Sequence, residues 1–374
     1  MHFSRLQLQQ FRNYDLLQAA FVNGINCITG NNGAGKTNIL EAVHYLALTR
    51  GWSRNSEKYA LKEGMPYFMV AGAVEAAAEE TGFQIQCTYM PPKGKKMLVN
   101  KKALKKMSAH IGRIPVVTVL PNDTQLIYGG PSVRRKFMDG FISQYDPAYL
   151  QALIEYENAL QQRNALLHIF HDRGAFDAEQ LGLWDAQLIP RAQQILAARL
   201  AFLEVYAPIF LKYFKAIVSD KEAPEIEIET QVAENTEATW EAMYLQNRDR
   251  DRFSQRTSTG IHKDDIRFLI DGQGVKNFGS QGQQKTFVIA LKLAQYEILE
   301  QKKSKAPVLL LDDIFDKLDI HRLRAIAGIL DTKVKGQVFI TDTSLERTQT
   351  VFSEVKTRSV KFFEVKDGEL VAEI

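Results

Sequence analysis

Gly30-Asn31-Asn32-Gly33-Ala34-Gly35-Lys36-Thr37 decides how the rest of this 374-residue chain is read. Its spacing, G-x-x-x-x-G-K-[ST], is that of a loop whose glycines let backbone N–H groups turn inward around phosphate oxygens with no Cβ in the way. Lys36 is then placed to reach the β- and γ-phosphates of a nucleoside triphosphate, read as ATP, and Thr37 to offer a hydroxyl to Mg²⁺. The start of the following helix adds partial positive charge at the same place. Such a loop needs a strand before it and a helix after it. Upstream, Phe3, Leu6 and Leu8, then Phe21, Ile25 and Ile28 around the turn signal Asn23-Gly24, predict at least two strands. Downstream, Ile39, Val43 and Leu46, backed by Ala42 and Ala47, predict a helix over 38–48.

Two further motifs extend the site. Val308-Leu309-Leu310-Leu311-Asp312-Asp313 reads as a buried strand delivering two carboxylates to its C-terminal end. Asp312 suits the Mg²⁺ shell, and Asp313 is one residue further on, where a carboxylate can polarise the attacking water. Ser280-Gln281-Gly282-Gln283-Gln284 opens a helix carrying Phe287, Ala290, Leu291, Ala294 and Ile298, so that a serine hydroxyl and a helix N-terminus form a second phosphate-facing surface. Leu318-Asp319 and a strand over 338–340 ending in Thr341-Asp342-Thr343 follow. P-loop, S-x-G-Q, paired acids and switch stand in the order found in ABC-class ATPases.

Between these motifs the chain changes character. Strands are predicted over 68–74, 84–89 and 116–120, helices over 149–167 and 189–213, strands again at Ile226, Ile228 and 266–270, then a helix over 284–301. The fold class is therefore α/β, a P-loop ATPase head with an inserted mainly helical lobe: residues 1–123 and 255–374 make the ATPase lobe and 124–254 the helical one. Gly174, Gly182 and Pro190 are expected to break the helical middle, which excludes a long coiled-coil arm.

Composition is ordinary for a globular protein, with 45% hydrophobic and 24% charged residues. No uninterrupted apolar run approaches the roughly 20 residues of a membrane span, and the first residues lack a secretory h-region. Cys27 and Cys87 match no metal spacing and are expected to pack in strands. These features predict a cytoplasmic protein with no membrane partner. A net charge of +3 makes no case for nucleic acid, but its distribution is uneven. Lys93, Lys95, Lys96, Lys101, Lys102, Lys105 and Lys106 fall in a stretch without an acid, and Arg134, Arg135 and Lys136 follow. These are the candidate phosphate contacts for DNA.

The chain resembles the RecF family of bacterial recombination-repair proteins, relatives of the SMC-type ATPases. The likeness is carried by Phe11-Arg12-Asn13-Tyr14, the stretch 30–38, Pro131-Ser132-Val133-Arg134-Arg135, Gln162-Arg163-Asn164, Gly260-Ile261-His262-Lys263-Asp264-Asp265 and Ser280 to Thr286. The resemblance implies a DNA-binding ATPase of gap repair that works with RecO and RecR to help load the RecA recombinase, and whose complete site forms when two chains pair in the presence of ATP. It also implies that Arg12 and Asn13 lie near the nucleotide base. Gln281 replaces the glycine of transporter signatures and Asp313 their glutamate, which predicts slow hydrolysis. Lys263 stands where the family often has arginine, and Ile261 where it often has proline. The alternative is the nucleotide-binding subunit of an ABC transporter. Against it stand the segments just quoted and more than 240 residues between P-loop and signature.

Overall fold

The computed structural model describes residues 1–52, 56–76, 81–218, 222–315 and 318–373, and the chain divides into two compact units. One is assembled from Met1–Asp123, Tyr213–Ser219 and Lys285–Ile374, the other from Thr124–Lys212 and Asp220–Gln284.

In the first unit, strand Ile25–Thr29 is buried at every position. A run of that kind suits a parallel strand covered on both faces. It lies between the parallel strands Val338–Asp342 and Val360–Lys366. Val308–Leu311 pairs on the far side of Val338–Asp342, Val116–Val119 forms one edge, and antiparallel Glu369–Glu373 the other. The P-loop strand and the acid-bearing strand are thus separated by the switch strand. A second, antiparallel sheet has the order Tyr14–Ala20, His2–Phe11, Phe68–Glu75, Phe83–Met90, Gly94–Val99, Lys102–Ala103. Its strands alternate in the usual period of two, with Phe68, Val70, Gly72 and Val74 inward.

Helix Lys36–Leu48 packs against Phe68–Glu75 and Phe83–Met90 on one side and Val116–Val119 and Val338–Asp342 on the other. It is consequently buried nearly all round, well beyond its predicted stripe. Phe11, Tyr45 and Phe68 meet edge to face above it, while Phe21 packs edge to face on Phe339 at 4.8 Å and Phe363 at 5.3 Å. Cys27 and Cys87 are buried free thiols.

The second unit contains helices Pro131–Tyr145 and Pro147–Arg173, most of Ala178–Ile217, and the shorter Glu237–Gln246 and Arg248–Ser254. It also holds a three-stranded sheet in which Asp265–Ile270 lies between Pro224–Glu229 and Gln273–Gly274. This corrects the expected boundary: residues 255–284 belong with the helices and not with the ATPase lobe. The reason is pairing. Asp265–Ile270 takes its backbone partners from Pro224–Glu229, and Arg199 reaches the Ile261 carbonyl at 2.9 Å and the Asp264 carboxylate at 2.8 Å.

A second expectation also changes. Gly174 does end a helix, in the left-handed conformation at φ 63°, but Gly182 and Pro190 lie inside Ala178–Ile217. Proline in a helix interior costs about 3 kcal/mol. Here its ring faces outward while Leu188, Ile189 and Ala192 are buried, so packing outweighs local preference. By length and composition this helix could cross a membrane, with a window of mean hydropathy 1.5. Arg199 within it is 1% exposed and gripped by Asp139 and Asp264, the packing of a helix inside a protein.

Candidate nucleotide site

Gly35 caps helix Lys36–Leu48 at φ 116°, and a Cβ there would come within 2.8 Å of the side chains of Asn13 and Tyr14. Those side chains hold the loop from behind. Tyr14 donates its hydroxyl to the Gly35 carbonyl at 3.1 Å, and Asn13 donates to the Ala34 carbonyl at 3.0 Å while accepting from Asn38 at 2.7 Å. Arg12, with φ 57°, forks onto the buried Glu41 carboxylate at 2.7 and 2.8 Å and donates to the Tyr59 carbonyl. The motif Arg12-Asn13-Tyr14 is therefore the brace of the P-loop and its helix. Gly30 is closed in as well: a Cβ would lie 2.2 Å from the Val365 carbonyl oxygen.

The chemistry converges on Asp312. Its carboxylate accepts from the Thr37 hydroxyl at 2.9 and 3.1 Å and from the Thr341 hydroxyl at 2.7 Å. Thr341 also accepts from the Asp313 backbone N–H at 2.9 Å. P-loop, paired acids and switch strand are in this way tied through one carboxylate and one hydroxyl. Asp313 stands in the left-handed region at φ 46°, a conformation uncommon outside glycine, and together with Asn32, Gly33, Lys36, Thr37 and Thr341 lines a cavity of about 150 Å³. Lys36 donates to the carbonyls of Gly30 at 2.7 Å and Asn31 at 2.8 Å.

Burial pushes the Asp312 carboxyl above the ordinary carboxylate range and Asp313 adds to it, while the hydroxyls of Thr341 and Thr37 and the Lys36 charge work the other way. Burial likewise lowers the Lys36 pKa, against the pull of Asp313, Asp312 and Asp342. Thr37 and Asp312 present hard oxygens side by side, the donor chemistry of a Mg²⁺ site that leaves further positions to phosphate and water. Asp342 plays a different part. It accepts from the backbone of Thr343 and Ser344 and from Arg347, and so fixes the turn from switch strand into helix Leu345–Phe352.

In the other unit the signature forms a reciprocal cap. Ser280 Oγ accepts from the Gln283 N–H at 3.2 Å, and Gln283 Oε1 accepts from the Ser280 N–H at 2.7 Å. Ser280 and Gln281 are exposed, and Gly282 and Gln283 half-buried. Gln284 is buried and committed: it donates to the Val275 and Gly279 carbonyls and accepts from the Tyr128 hydroxyl. Among the candidate DNA contacts, Lys93, Lys96, Lys101, Lys102, Lys105, Lys106 and Lys136 are exposed. Lys95 instead turns inward onto Glu57 and the Thr49 carbonyl. Arg134 forks onto Asp265 at 2.7 and 2.8 Å, and Arg135 donates to the Asp264 carbonyl at 2.5 Å. Sequence reading overlooked Thr341 as the bridge and Tyr14 as the brace. Thr341 stands out in the sequence only as part of the switch, and Tyr14 only within the stretch Phe11 to Tyr14.

A parallel sheet bearing P-loop, switch and paired acids on successive strands, with an inserted unit that ends at a serine-capped S-x-G-Q helix, defines a P-loop ATPase head of the ABC/SMC type. Residues 2–368 match the family described as RecF/RecN/SMC N terminal domain. The chain is 38% identical over 370 residues to the DNA replication and repair protein RecF of Cytophaga hutchinsonii, covering 99% of this chain and 96% of that one. It is 40% identical over 351 residues to the protein of the same name from Flavobacterium johnsoniae, covering 94% and 96%. A solved structure described as the recombination mediator protein RecF-ATP in the RecFOR pathway is similar with a TM-score of 0.88 at 29% identity, covering 100% of this chain and 97% of that one. The chain belongs to the RecF family. Relatives over nearly the full length, helical middle included, displace the transporter alternative.

Proposed function

We propose that this chain is an ATP-binding protein of DNA replication and recombinational repair, which pairs with a second copy when ATP binds and acts as a switch on single-stranded or gapped DNA. The observation that carries this reading is the Asp312 carboxylate shared by Thr37 and Thr341. It couples the phosphate loop to the switch strand, so a change at the phosphates is felt by the segment leaving that strand. Lys36 and the loop N–H groups bind the phosphates, and Thr37 with Asp312 would hold the metal. Mg²⁺, when bound there, would supply positive charge to offset the negative charge of the phosphates. Asp313 orients the attacking water; as an aspartate it has a shorter reach than glutamate, which favours slow hydrolysis. The exposed Ser280 of one copy is suited to meet the γ-phosphate held by Lys36 of the other, and Arg12 and Asn13 keep the loop in shape beneath the nucleotide.

The output is a change of assembly on DNA, with RecO and RecR as partners and RecA loading as the task, readings supported by family membership. Sizing chromatography with and without MgATP tests the assembly: wild type should move to a dimer with ATP, and Lys36→Ala and Ser280→Arg should stay monomeric. If both variants dimerise like wild type, the shared-site reading fails. Hydrolysis should be slow and rise with gapped DNA, and strong DNA-independent turnover would count against the switch.

A further inference from the structure

The most exposed large apolar side chain described belongs to none of the nucleotide motifs. Phe253, on helix Arg248–Ser254 of the second unit, is 91% exposed, a large apolar surface left in water. Its neighbourhood is basic. Arg250, one helical turn earlier, and Arg252 and Arg256 are exposed, and the Arg252 guanidinium lies over the Phe176 ring at 5.1 Å. The acids of the helix do not balance this equally. Asp249 is exposed, but Asp251 is fully buried, its carboxylate accepting from Arg163 at 2.7 Å and from the Ser258 N–H at 2.8 Å and hydroxyl at 2.5 Å.

That burial gives the outward ring a fixed mount. Arg163 is 0% exposed, also grips Asp185 at 2.7 Å, and stacks over Tyr244 at 5.3 Å. The Arg256 N–H closes the turn onto the Asp251 carbonyl at 3.2 Å, with Gln255 in the left-handed region at φ 56°. The ring is presented by a short helix pinned from beneath, so the backbone that carries it is already ordered before anything covers it.

We infer that Phe253 with Arg250, Arg252 and Arg256 is a contact surface for single-stranded nucleic acid, the ring stacking on an unpaired base and the guanidiniums meeting the adjoining phosphates. Charge complementarity selects this occupant. An apolar protein partner would leave three arginines facing its edge, whereas an aromatic face among cations is what a strand with accessible bases and a charged backbone requires. A duplex, its bases stacked on one another, offers the ring no such face. The inference rests on the DNA reading above and adds a place on the molecule to it.

Fluorescence anisotropy of a labelled oligo-dT strand, measured against the full-length protein over a salt series, tests the surface, with a blunt duplex of the same length as comparison. Phe253→Ala should weaken single-strand binding about tenfold and duplex binding little, and Phe253→Trp should restore it. Each of Arg250→Ala and Arg256→Ala should reduce the slope of log affinity against log salt by about 0.7. A 2-aminopurine placed within the strand should be quenched by wild type and not by Phe253→Ala. At 91% exposure the ring can be removed without harm to the fold, which an unchanged melting curve checks. If wild type binds the strand and Phe253→Ala binds it as tightly, the surface is elsewhere and the inference fails; if the variant changes sedimentation instead, the ring belongs to a contact between copies and the inference also fails. A wild type that binds no DNA would overturn the underlying function itself.

Discussion

Asp312 carries a charge that folding alone disfavours. Its carboxyl is pushed above the ordinary range chiefly by burial. Below the ordinary carboxylate pKa both folded and unfolded chains hold the proton and no penalty arises; above the raised folded value the penalty is fully present. Asp312→Asn should therefore melt higher than wild type without ligand at a pH above the raised pKa, with the difference shrinking as pH falls through it, and should lose the upward shift that MgATP gives wild type. Scanning calorimetry reads both. Arg163 is the opposite case: Arg163→Met strands Asp185 and Asp251 in the interior and should cost about 3–5 kcal/mol in urea unfolding. What the sequence discloses at this scale follows the same division. Lys36, Thr37, Asp312 and Asp313 are legible because phosphate and metal chemistry demand those residue types at those spacings. Arg134 and Lys95 are not, since their partners Asp265 and Glu57 lie far off in the chain and a committed cation is written with the same letter as a free one.

Elements impose limits of their own on the same residues. Gly30 and Gly33 sit in one loop, both at positive φ, yet a Cβ at Gly30 would collide with the Val365 carbonyl at 2.2 Å while Gly33 faces nothing within 4 Å. Gly33→Ala should cost roughly 1–2 kcal/mol for its conformation alone, and Gly30→Ala clearly more, because it also presses against the strand Val360–Lys366; chemical denaturation of the two variants makes the comparison. Ser280→Ala breaks the reciprocal cap with Gln283 and should destabilise the signature helix by about 1 kcal/mol. The elements themselves were largely foreseeable from period and punctuation. Where they were not, tertiary packing had decided: Pro190 is absorbed into a helix because its neighbours are buried, and Thr341 becomes a bridge only because its strand pairs beside Val308–Leu311.

At the scale of the molecule, the hardest thing to read was membership. Residues 255–284 follow the same strand-then-helix grammar as the ATPase motifs, and nothing local says that Asp265–Ile270 pairs with Pro224–Glu229. The boundary at Asp123 and Thr124 is visible as a turn, whereas the last one falls inside helix Gln281–Lys303, where no composition shift marks it. Ligand binding should distinguish the units. At a hundredfold excess over Kd, MgATP should stabilise the unit holding Lys36 and Asp312 by about 2.7 kcal/mol. Hydrogen exchange should slow at Ile25–Thr29 and Val308–Leu311, and Lys36→Ala should abolish the effect.

The strand that leads into the P-loop, Ile25–Thr29, is made well before both strands that flank it, Val338–Asp342 and Val360–Lys366. On the ribosome it must wait for some three hundred residues before its backbone is paired on either side. The sheet beneath the nucleotide site is therefore complete only after both of those strands have been made, so that a fragment released before them lacks the frame that holds the P-loop.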